Sequence, residues 1–295
     1  MLHTRLATAS RLIDRSLETI QDSTRLMKPL PRDFGTRKQT DELGKRAARP
    51  EALAADELHL WHVSASDGHE AALTARARQL LDADEWSRAD RFRVPQGRLE
   101  QLAARCLVRT ALSQYSTVEP DEWMFTEGPY GRPRIAAPPH APVLHFNLSH
   151  SAGLVVCAVS AHHEVGVDVE HVDRRMPRAV AHAHFAPAER AALWALPDGE
   201  QPRRFVEYWT LKEAYVKARG AGLALPLDQF AFALHANRPP TIQFAQGFGD
   251  VESDWRFEHV RLGAHLVAVA ARTGGGPVRL VMRGWTPDSG EVAPA

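Results

Sequence analysis

The 295-residue sequence has only two cysteines, Cys106 and Cys157, and both lie among apolar neighbours. This pattern indicates buried free thiols rather than a disulfide framework, so we expect a reducing compartment and place the chain in the cytoplasm. No apolar run approaches the roughly 20 residues of a membrane-spanning helix. The N-terminus also lacks the apolar segment of a secretory signal, so we expect no association with a membrane.

An excess of either charge is also missing, because 36 Lys and Arg residues balance 36 Asp and Glu residues. A chain without excess positive charge is not expected to attract nucleic acid broadly. The sequence has no P-loop, no G-x-G-x-x-G after a predicted strand, and no histidine spacing typical of zinc sites. What remains is a chain that is 44% hydrophobic, long enough for one large domain or two medium ones.

Hydrophobic periodicity divides the chain into an N-terminal extension and a folded part. Residues 1–55 contain one candidate amphipathic helix followed by a polar, basic stretch, so we expect an extension that is flexible or partly helical. Alternation at residues 58–63 predicts the first strand. Helical spacing predicts helices at 69–92, 97–115, 187–196 and 202–219. Further strands are predicted at 144–148, 154–159, 165–169, 230–234, 255–257 and 265–269.

The order of these elements favours an α+β fold. A strand, helices and strands are followed by a second strand, helices and strands, which predicts a pseudo-twofold pair of similar α/β subdomains. We assign residues 56–165 to the N-terminal half and residues 166–285 to the C-terminal half, which carries the candidate catalytic residues. Residues 286–295 are assigned to a tail.

Two carboxylates stand two residues apart on a predicted strand. Asp168 and Glu170 therefore leave the same face, while Val167 and Val169 point into the core. Carboxylates held together repel each other unless a cation lies between them, and Mg²⁺ commonly binds one or two carboxylates plus phosphate oxygens. The alternative is an exposed polar strand edge.

A second pair of charged residues lies on the last long predicted helix. Glu213 and Lys217 are four residues apart and so share one helical face. Glu213 could complete a metal site or act as a general base, and Lys217 could neutralise phosphate charge in a transition state. The alternative is a surface ion pair, but the neighbouring aromatic residues and the glycine-rich segment after the helix favour close packing beside a site.

Ser149 and His150 lie where a predicted strand ends. Backbone N–H groups, the Ser149 hydroxyl and the His150 ring at such a break can hold a phosphate. A nucleophilic role for Ser149 is not supported, because no G-x-S-x-G motif surrounds it.

With these motifs in order, the sequence resembles the 4′-phosphopantetheinyl transferases, in particular the larger single-chain type associated with surfactin synthesis. The resemblance covers roughly residues 57–272. The matching segments are GRP at 131–133, FNLSHS at 146–151, GVDVE at 166–170, FAPAER at 185–190, WTLKEAYVK at 209–217 and GL at 222–223.

The resemblance implies two α/β halves with coenzyme A between them. It implies Mg²⁺ bound by Asp168, Glu170 and Glu213, and transfer of phosphopantetheine to a serine of an apo acyl or peptidyl carrier protein, with release of adenosine 3′,5′-bisphosphate. Glu213 and Lys217 are the implied catalytic residues, and the enzyme is expected to be a monomer. The proton acceptor is Glu213, Glu189 or a water molecule. Implied coenzyme A contacts are Arg88, Arg132, Ser149, His150 and Lys217.

The sequence departs from the family at two positions. Glu85 and Glu100 stand where family members usually carry basic residues, and Arg98 could substitute for the second. Two other functions remain open. An Asp-x-Glu pair with a lysine can serve a metal-dependent nuclease or phosphodiesterase, and a homologue can bind carrier protein without catalysis.

Overall fold

The computed structural model describes residues 50–128, 132–175, 177–222, 225–288 and 292–294. The candidate helix near the start of the chain, and Gly131 and Leu223 of the family motifs, lie outside these residues. The packed chain already includes part of the predicted extension. Glu51 donates its backbone N–H to the Gln114 carbonyl (2.7 Å), and Leu53 packs against the first hydrophobic core.

The elements follow one another in an α+β order, as predicted. The α-helices are α1 (Glu70–Leu80), α2 (Ala83–Ala89), α3 (Pro95–Ser113), α4 (Arg178–His184), α5 (Pro187–Trp194) and α6 (Gln201–Arg219). Short 3-10 turns occupy Asp67–His69, Leu227–Gln229 and Glu252–Asp254. The strands are β1 (Glu57–Ser64), β2 (Met124–Glu127), β3 (Pro133–Ala137), β4 (His145–Ser151), β5 (Leu154–Ser160), β6 (Glu164–His171), β7 (Phe230–Ala233), β8 (Thr241–Phe244), β9 (Trp255–Leu262), β10 (His265–Arg272), β11 (Arg279–Trp285) and β12 (Val292–Pro294).

Two sheets carry the fold. The first has the order β12-β11-β1-β5-β4, in which β11 runs parallel to β1 and the other pairs are antiparallel. The second has the order β6-β10-β9 and is antiparallel throughout. Two-stranded ribbons, β2-β3 and β7-β8, complete the described sheets. No helix of the described residues is long and apolar enough to cross a membrane.

The helix predicted at 69–92 is in fact two helices. Leu81 is extended and Asp82 caps α2, its side chain accepting the N–H groups of Asp84 and Glu85. The Glu85 side chain accepts the Asp82 N–H in return, which completes a capping box. This capping box begins a second helix at residue 83. The hydrophobic spacing did not predict it, because the capping residues are polar.

Two strand predictions also need correction. The predicted break at Ser149–Ser151 does not occur, because β4 continues to Ser151 and pairs residue by residue with β5. The sequence predicted no strand after residue 269, but Arg279–Trp285 form β11. Although β11 lies within the range assigned to the second half, it pairs with β1 of the first sheet.

Each large sheet is covered by a helix of 19 residues, α3 on the first and α6 on the second. Gly166 allows α6 to approach β6 closely, because a Cβ there would lie 2.1 Å from the Ala214 carbonyl oxygen and 2.3 Å from the Ala218 nitrogen. Gly220 follows α6 in the left-handed conformation (φ 62°), so the helix ends at residue 219, where the hydrophobic spacing placed its end.

Side chains of β4 join the two sheets. The Asn147 side-chain oxygen accepts the Val167 N–H (2.8 Å), and the Ser149 hydroxyl accepts the Val169 N–H (3.3 Å). These contacts satisfy backbone donors of β6, which would otherwise be buried without partners. The FNLSHS segment thus brings β4 and β6 side by side at the centre of the molecule.

Candidate active site

Three of the predicted site residues meet where β4, β6 and α6 come together. The Lys217 ammonium donates to Asp168 Oδ1 (2.6 Å) and to the Ser149 hydroxyl (3.0 Å). The Ser149 hydroxyl also donates to Asp168 Oδ1 (2.9 Å). All three side chains are buried. The structure therefore places the lysine of α6 directly against the carboxylate of β6.

Glu170 lies on the same face of β6, as the two-residue spacing predicted. Its Oε2 accepts the Ser151 hydroxyl (2.9 Å), and its Oε1 forms an ion pair with Arg174. Arg174 also lies over the Trp209 ring, 6.0 Å from the ring centroid. Both Ser149 and Ser151 face β6, because alternate residues of a strand share a face.

Glu213 completes the group of three carboxylates. It is buried (3% exposed), and its Oε1 has no hydrogen-bond partner among the described residues. Burial raises the pKa of Glu213 and the charge of Asp168 raises it further, while Lys217 and Arg174 act in the opposite direction. Because Glu213 is buried, the alternative interpretation, in which Glu213 and Lys217 form a surface ion pair, is wrong.

The carboxylate oxygens of Asp168, Glu170 and Glu213 are ligands of the kind that a hard divalent cation such as Mg²⁺ prefers. Asp168 Oδ2, like Glu213 Oε1, is buried and without a partner in the described part of the chain. Lys217 and Arg174 supply two positive charges, so three ionised carboxylates would carry one negative charge in excess, in keeping with the raised pKa of Glu213. Yet no three or more His, Cys, Asp or Glu side chains, among the residues described, stand together in a metal-holding arrangement. We ascribe this to Lys217 and Arg174, which hold oxygens of Asp168 and Glu170.

His150 points away from the carboxylates. It alternates with Ser149 and Ser151 on β4, and its Nδ1 donates to Glu100 Oε2 of α3 (2.6 Å). Burial acts to raise the pKa of Glu100, but hydrogen bonds from His150, Gln96 and the Gly153 N–H outweigh it and lower that pKa. His150 Nε2 is buried and has no partner within the described segments. Because β4 continues to Ser151, the strand end at which backbone N–H groups were expected to bind a phosphate does not lie at residues 149–151.

Arg132 joins the two halves through backbone carbonyls. Its guanidinium donates to the carbonyls of Lys217 (2.9 Å), Ala218 (2.9 Å) and Val165 (2.9 Å), and more weakly to that of Phe146 (3.5 Å). A cation there also suits the negative end of the α6 dipole. Arg132 lines a cavity of ≈ 520 Å³, together with Arg134, Arg219, His145 and other residues of β3 and β4.

The remaining predicted contact, Arg88, is half-buried on α2 near Arg105. Glu85 on the same helix binds Arg109 through both oxygens (2.8 Å each) and lies 3.6 Å from Arg105. The acidic residue at this family position is thus neutralised inside the first half. Arg98, suggested as a substitute for a basic residue at position 100, instead pairs with Asp90 (2.9 Å).

Sequence reasoning missed two residues of the site and misjudged a third. Ser151 could have been found by extending β4 two residues, whereas Arg174 follows β6 in a loop where no periodicity marks it. Glu189, named as an alternative base, is buried in an ion pair with Lys212 (2.8 Å) and accepts the N–H groups of Ala186 and Phe232. It therefore belongs to the core of the second half.

Comparison with known proteins gives matches over both halves. Residues 164–270 match the family model described as 4′-phosphopantetheinyl transferase superfamily. Residues 69–162 match the model of the N-terminal part of 4′-phosphopantetheinyl transferase.

Similar proteins include 4′-phosphopantetheinyl transferase HetI of Nostoc sp., 36% identical over 201 residues that cover 68% of this chain and 84% of HetI. Sfp of Bacillus subtilis is 30% identical over 168 residues, 57% of this chain and 73% of Sfp. A solved structure of Thermotoga maritima holo-[acyl-carrier-protein] synthase matches 38% of this chain and 63% of its own length, at 23% identity and a TM-score of 0.32. On the match to HetI, 84% of which is covered, the chain belongs to the 4′-phosphopantetheinyl transferase superfamily.

Proposed function

We propose that this protein transfers the 4′-phosphopantetheine group of coenzyme A to a serine hydroxyl of an apo acyl or peptidyl carrier protein and releases adenosine 3′,5′-bisphosphate. The observation that carries the proposal is the buried contact of Lys217 with Asp168 and Ser149 beside Glu213, in a chain of this family. Such an arrangement offers a fixed cation and a carboxyl group of raised proton affinity, which phosphoryl transfer to a hydroxyl requires.

Asp168, Glu170 and Glu213 are the residues proposed to hold a Mg²⁺ ion. The two partnerless oxygens of Asp168 and Glu213 support this assignment, and so does the raised pKa of Glu213, which a nearby cation would lower. When bound, the ion would neutralise charge on the diphosphate and orient it. Glu170 can take part only after Arg174 releases it.

Lys217 and Glu213 have different roles in the proposed reaction. Lys217 is held against Asp168 and Ser149 and presents a positive charge to a phosphate oxygen, so it stabilises the negative charge that grows as the diphosphate bond breaks. Glu213 takes the proton from the attacking serine, directly or through water. Its raised pKa gives the ionised carboxylate a higher proton affinity than an exposed glutamate has. Because the serine oxygen attacks the β-phosphorus, the departing group is adenosine 3′,5′-bisphosphate.

The coenzyme A contacts proposed for Arg88, Arg132, Ser149 and His150 differ in their support. Ser149 touches Lys217 and so reaches the diphosphate site directly. His150 lies on the other face of β4, where its free Nε2 suits a separate phosphate or a hydroxyl. Arg132 uses its guanidinium for backbone carbonyls, so we expect it to shape the adjoining cavity rather than bind a phosphate.

Two further properties belong to this proposal. We expect a monomer, because both α/β halves that flank the site come from one chain. We expect action in the cytoplasm, because Cys106 and Cys157 are buried free thiols.

The deciding experiment mixes the full chain, coenzyme A, Mg²⁺ and a panel of apo carrier proteins, and reads the intact mass of each carrier. We expect the mass of one phosphopantetheine group to be added, and to be lost when the acceptor serine is replaced by alanine. If no carrier gains mass while a known transferase modifies the same panel, the proposed function is wrong. Incubation with plasmid DNA and Mg²⁺, followed by a search for nicking, tests the nuclease alternative in parallel.

A further inference from the structure

Two cations hold the three carboxylates of the site, and their positions differ. Lys217 rises from α6, is 6% exposed in its side chain, and makes two hydrogen bonds. Arg174 follows β6 in a loop, and its side chain is 21% exposed. Lys217 is therefore held by its helix and its hydrogen bonds, while the Arg174 side chain is partly exposed to solvent.

Arg174 also interacts with more than its ion-pair partner. The charges of Asp168 and Glu213 oppose the lowering of its pKa by burial, and its guanidinium lies over the Trp209 ring. An arginine keeps its charge in such surroundings. The guanidinium thus acts as a counter-ion for all three carboxylates although it binds only Glu170.

The charges at the site favour exchange of this arginine for a divalent ion. With Lys217 and Arg174 in place, three ionised carboxylates would carry one negative charge in excess, and two of their buried oxygens have no partner in the described chain. If a divalent ion replaces Arg174, the charges balance and the free oxygens gain a ligand. Both cations need Glu170, so they compete for it.

Resting on the proposed metal site, we propose that Arg174 is the built-in counter-ion of the unloaded enzyme and must leave Glu170 for a divalent ion to bind. The arginine stabilises the carboxylates before loading and weakens the apparent affinity for the ion by the free energy of its own contact. It is a positioning residue that sets the ion concentration at which the site fills.

The test replaces Arg174 by glutamine and titrates the full chain, without coenzyme A, with Mn²⁺ as the probe. Free Mn²⁺ is read by electron paramagnetic resonance. We expect Arg174→Gln to bind Mn²⁺ about 10-fold more tightly, a change of about 1.4 kcal/mol. The matched control is Arg178→Gln. Its side chain is 66% exposed and 4.0 Å from Asp198, so it removes the same charge from a nearby residue without touching Glu170.

Thermal unfolding gives a second readout. Without the ion, Arg174→Gln should unfold at a lower temperature than the native chain, because Glu170 has lost its charged partner. With saturating Mn²⁺ the difference should disappear or reverse, since the ion now stabilises the variant by its higher affinity. Arg174→Lys should lie between the two in both measurements.

Several results would overturn the inference. Equal or weaker Mn²⁺ binding by Arg174→Gln, or an equal gain in Arg178→Gln, would show that Arg174 does not compete with the ion. Absence of Mn²⁺ binding in both the native chain and Arg174→Gln would do the same. Loss of the transferase reaction itself is detected separately, by the carrier-protein masses, and would count against the proposed function instead.

Discussion

Replacing Lys217 by alanine should damage the protein in two separable ways. Its Nζ lies 2.6 Å from Asp168 Oδ1, and both side chains are almost fully buried. Removal of the lysine leaves Asp168 as a buried carboxylate beside Glu213. Breaking a buried ion pair from one side costs about 3–5 kcal/mol, so the free energy of unfolding should fall by about that amount in ion-free buffer. Urea denaturation followed by circular dichroism measures this loss.

The kinetic effect should fall mainly on kcat. If Lys217 stabilises charge that develops as the diphosphate breaks, kcat should drop by about 10²-fold or more, equivalent to about 2.7 kcal/mol, with a smaller change in KM for coenzyme A. Lys217→Arg keeps the charge but not the geometry and should recover part of the rate. Rates of holo-carrier formation must be compared at a temperature where every variant is folded.

A double variant separates the two effects. Asp168→Asn combined with Lys217→Met removes both charges with similar side-chain sizes, so most of the lost stability should return while the enzyme stays inactive. If the double variant is as unstable as Lys217→Ala, the pair does not account for the stability. If Lys217→Ala raises only KM, the lysine binds the ground state alone and the transition-state role is refuted.

Three other predictions address the packing, the extension and the metal. Gly166→Ala should destabilise the chain by about 3 kcal/mol or more, because the new Cβ meets backbone atoms of α6, whereas Gly199→Ala, which has nothing within 4 Å, should change the urea midpoint little. Deletion of residues 1–49 should leave the melting temperature and the transfer rate unchanged, and a folded but inactive product would assign the extension to the site or to carrier docking. Excess chelator, and separately Asp168→Ala or Glu170→Ala, should abolish transfer without unfolding the chain, and full activity with chelator present would refute the metal requirement.

The parts of the site that the sequence predicted are those that local periodicity fixes. Alternation on β6 places Asp168 and Glu170 on one face, and the four-residue spacing on α6 does the same for Glu213 and Lys217. Arg174 could not be predicted in this way. It lies in a loop, where no periodicity applies, and its ion pair with Glu170 depends on the folded structure.

The same limit explains the errors in the fold. The start of α2 depends on a capping box at Asp82, which a hydrophobic pattern does not contain. β11 could not be assigned to the first sheet because its partner, β1, lies more than 200 residues earlier, as the contact between Glu57 and Arg279 (222 residues apart) shows. Neither β1 nor β11 has a local sequence feature that identifies the other as its pairing partner.

The parallel pairing of β1 with β11 has a consequence for how the chain folds during synthesis. β1 can pair with β5 as soon as residue 160 has emerged, but its other edge stays open until β11 is made. An open strand edge can pair with another chain, and closing a loop this long is slow. We therefore expect fragments that stop before residue 279 to aggregate rather than form a stable first half, even though the residues of α1 to β5 are all present.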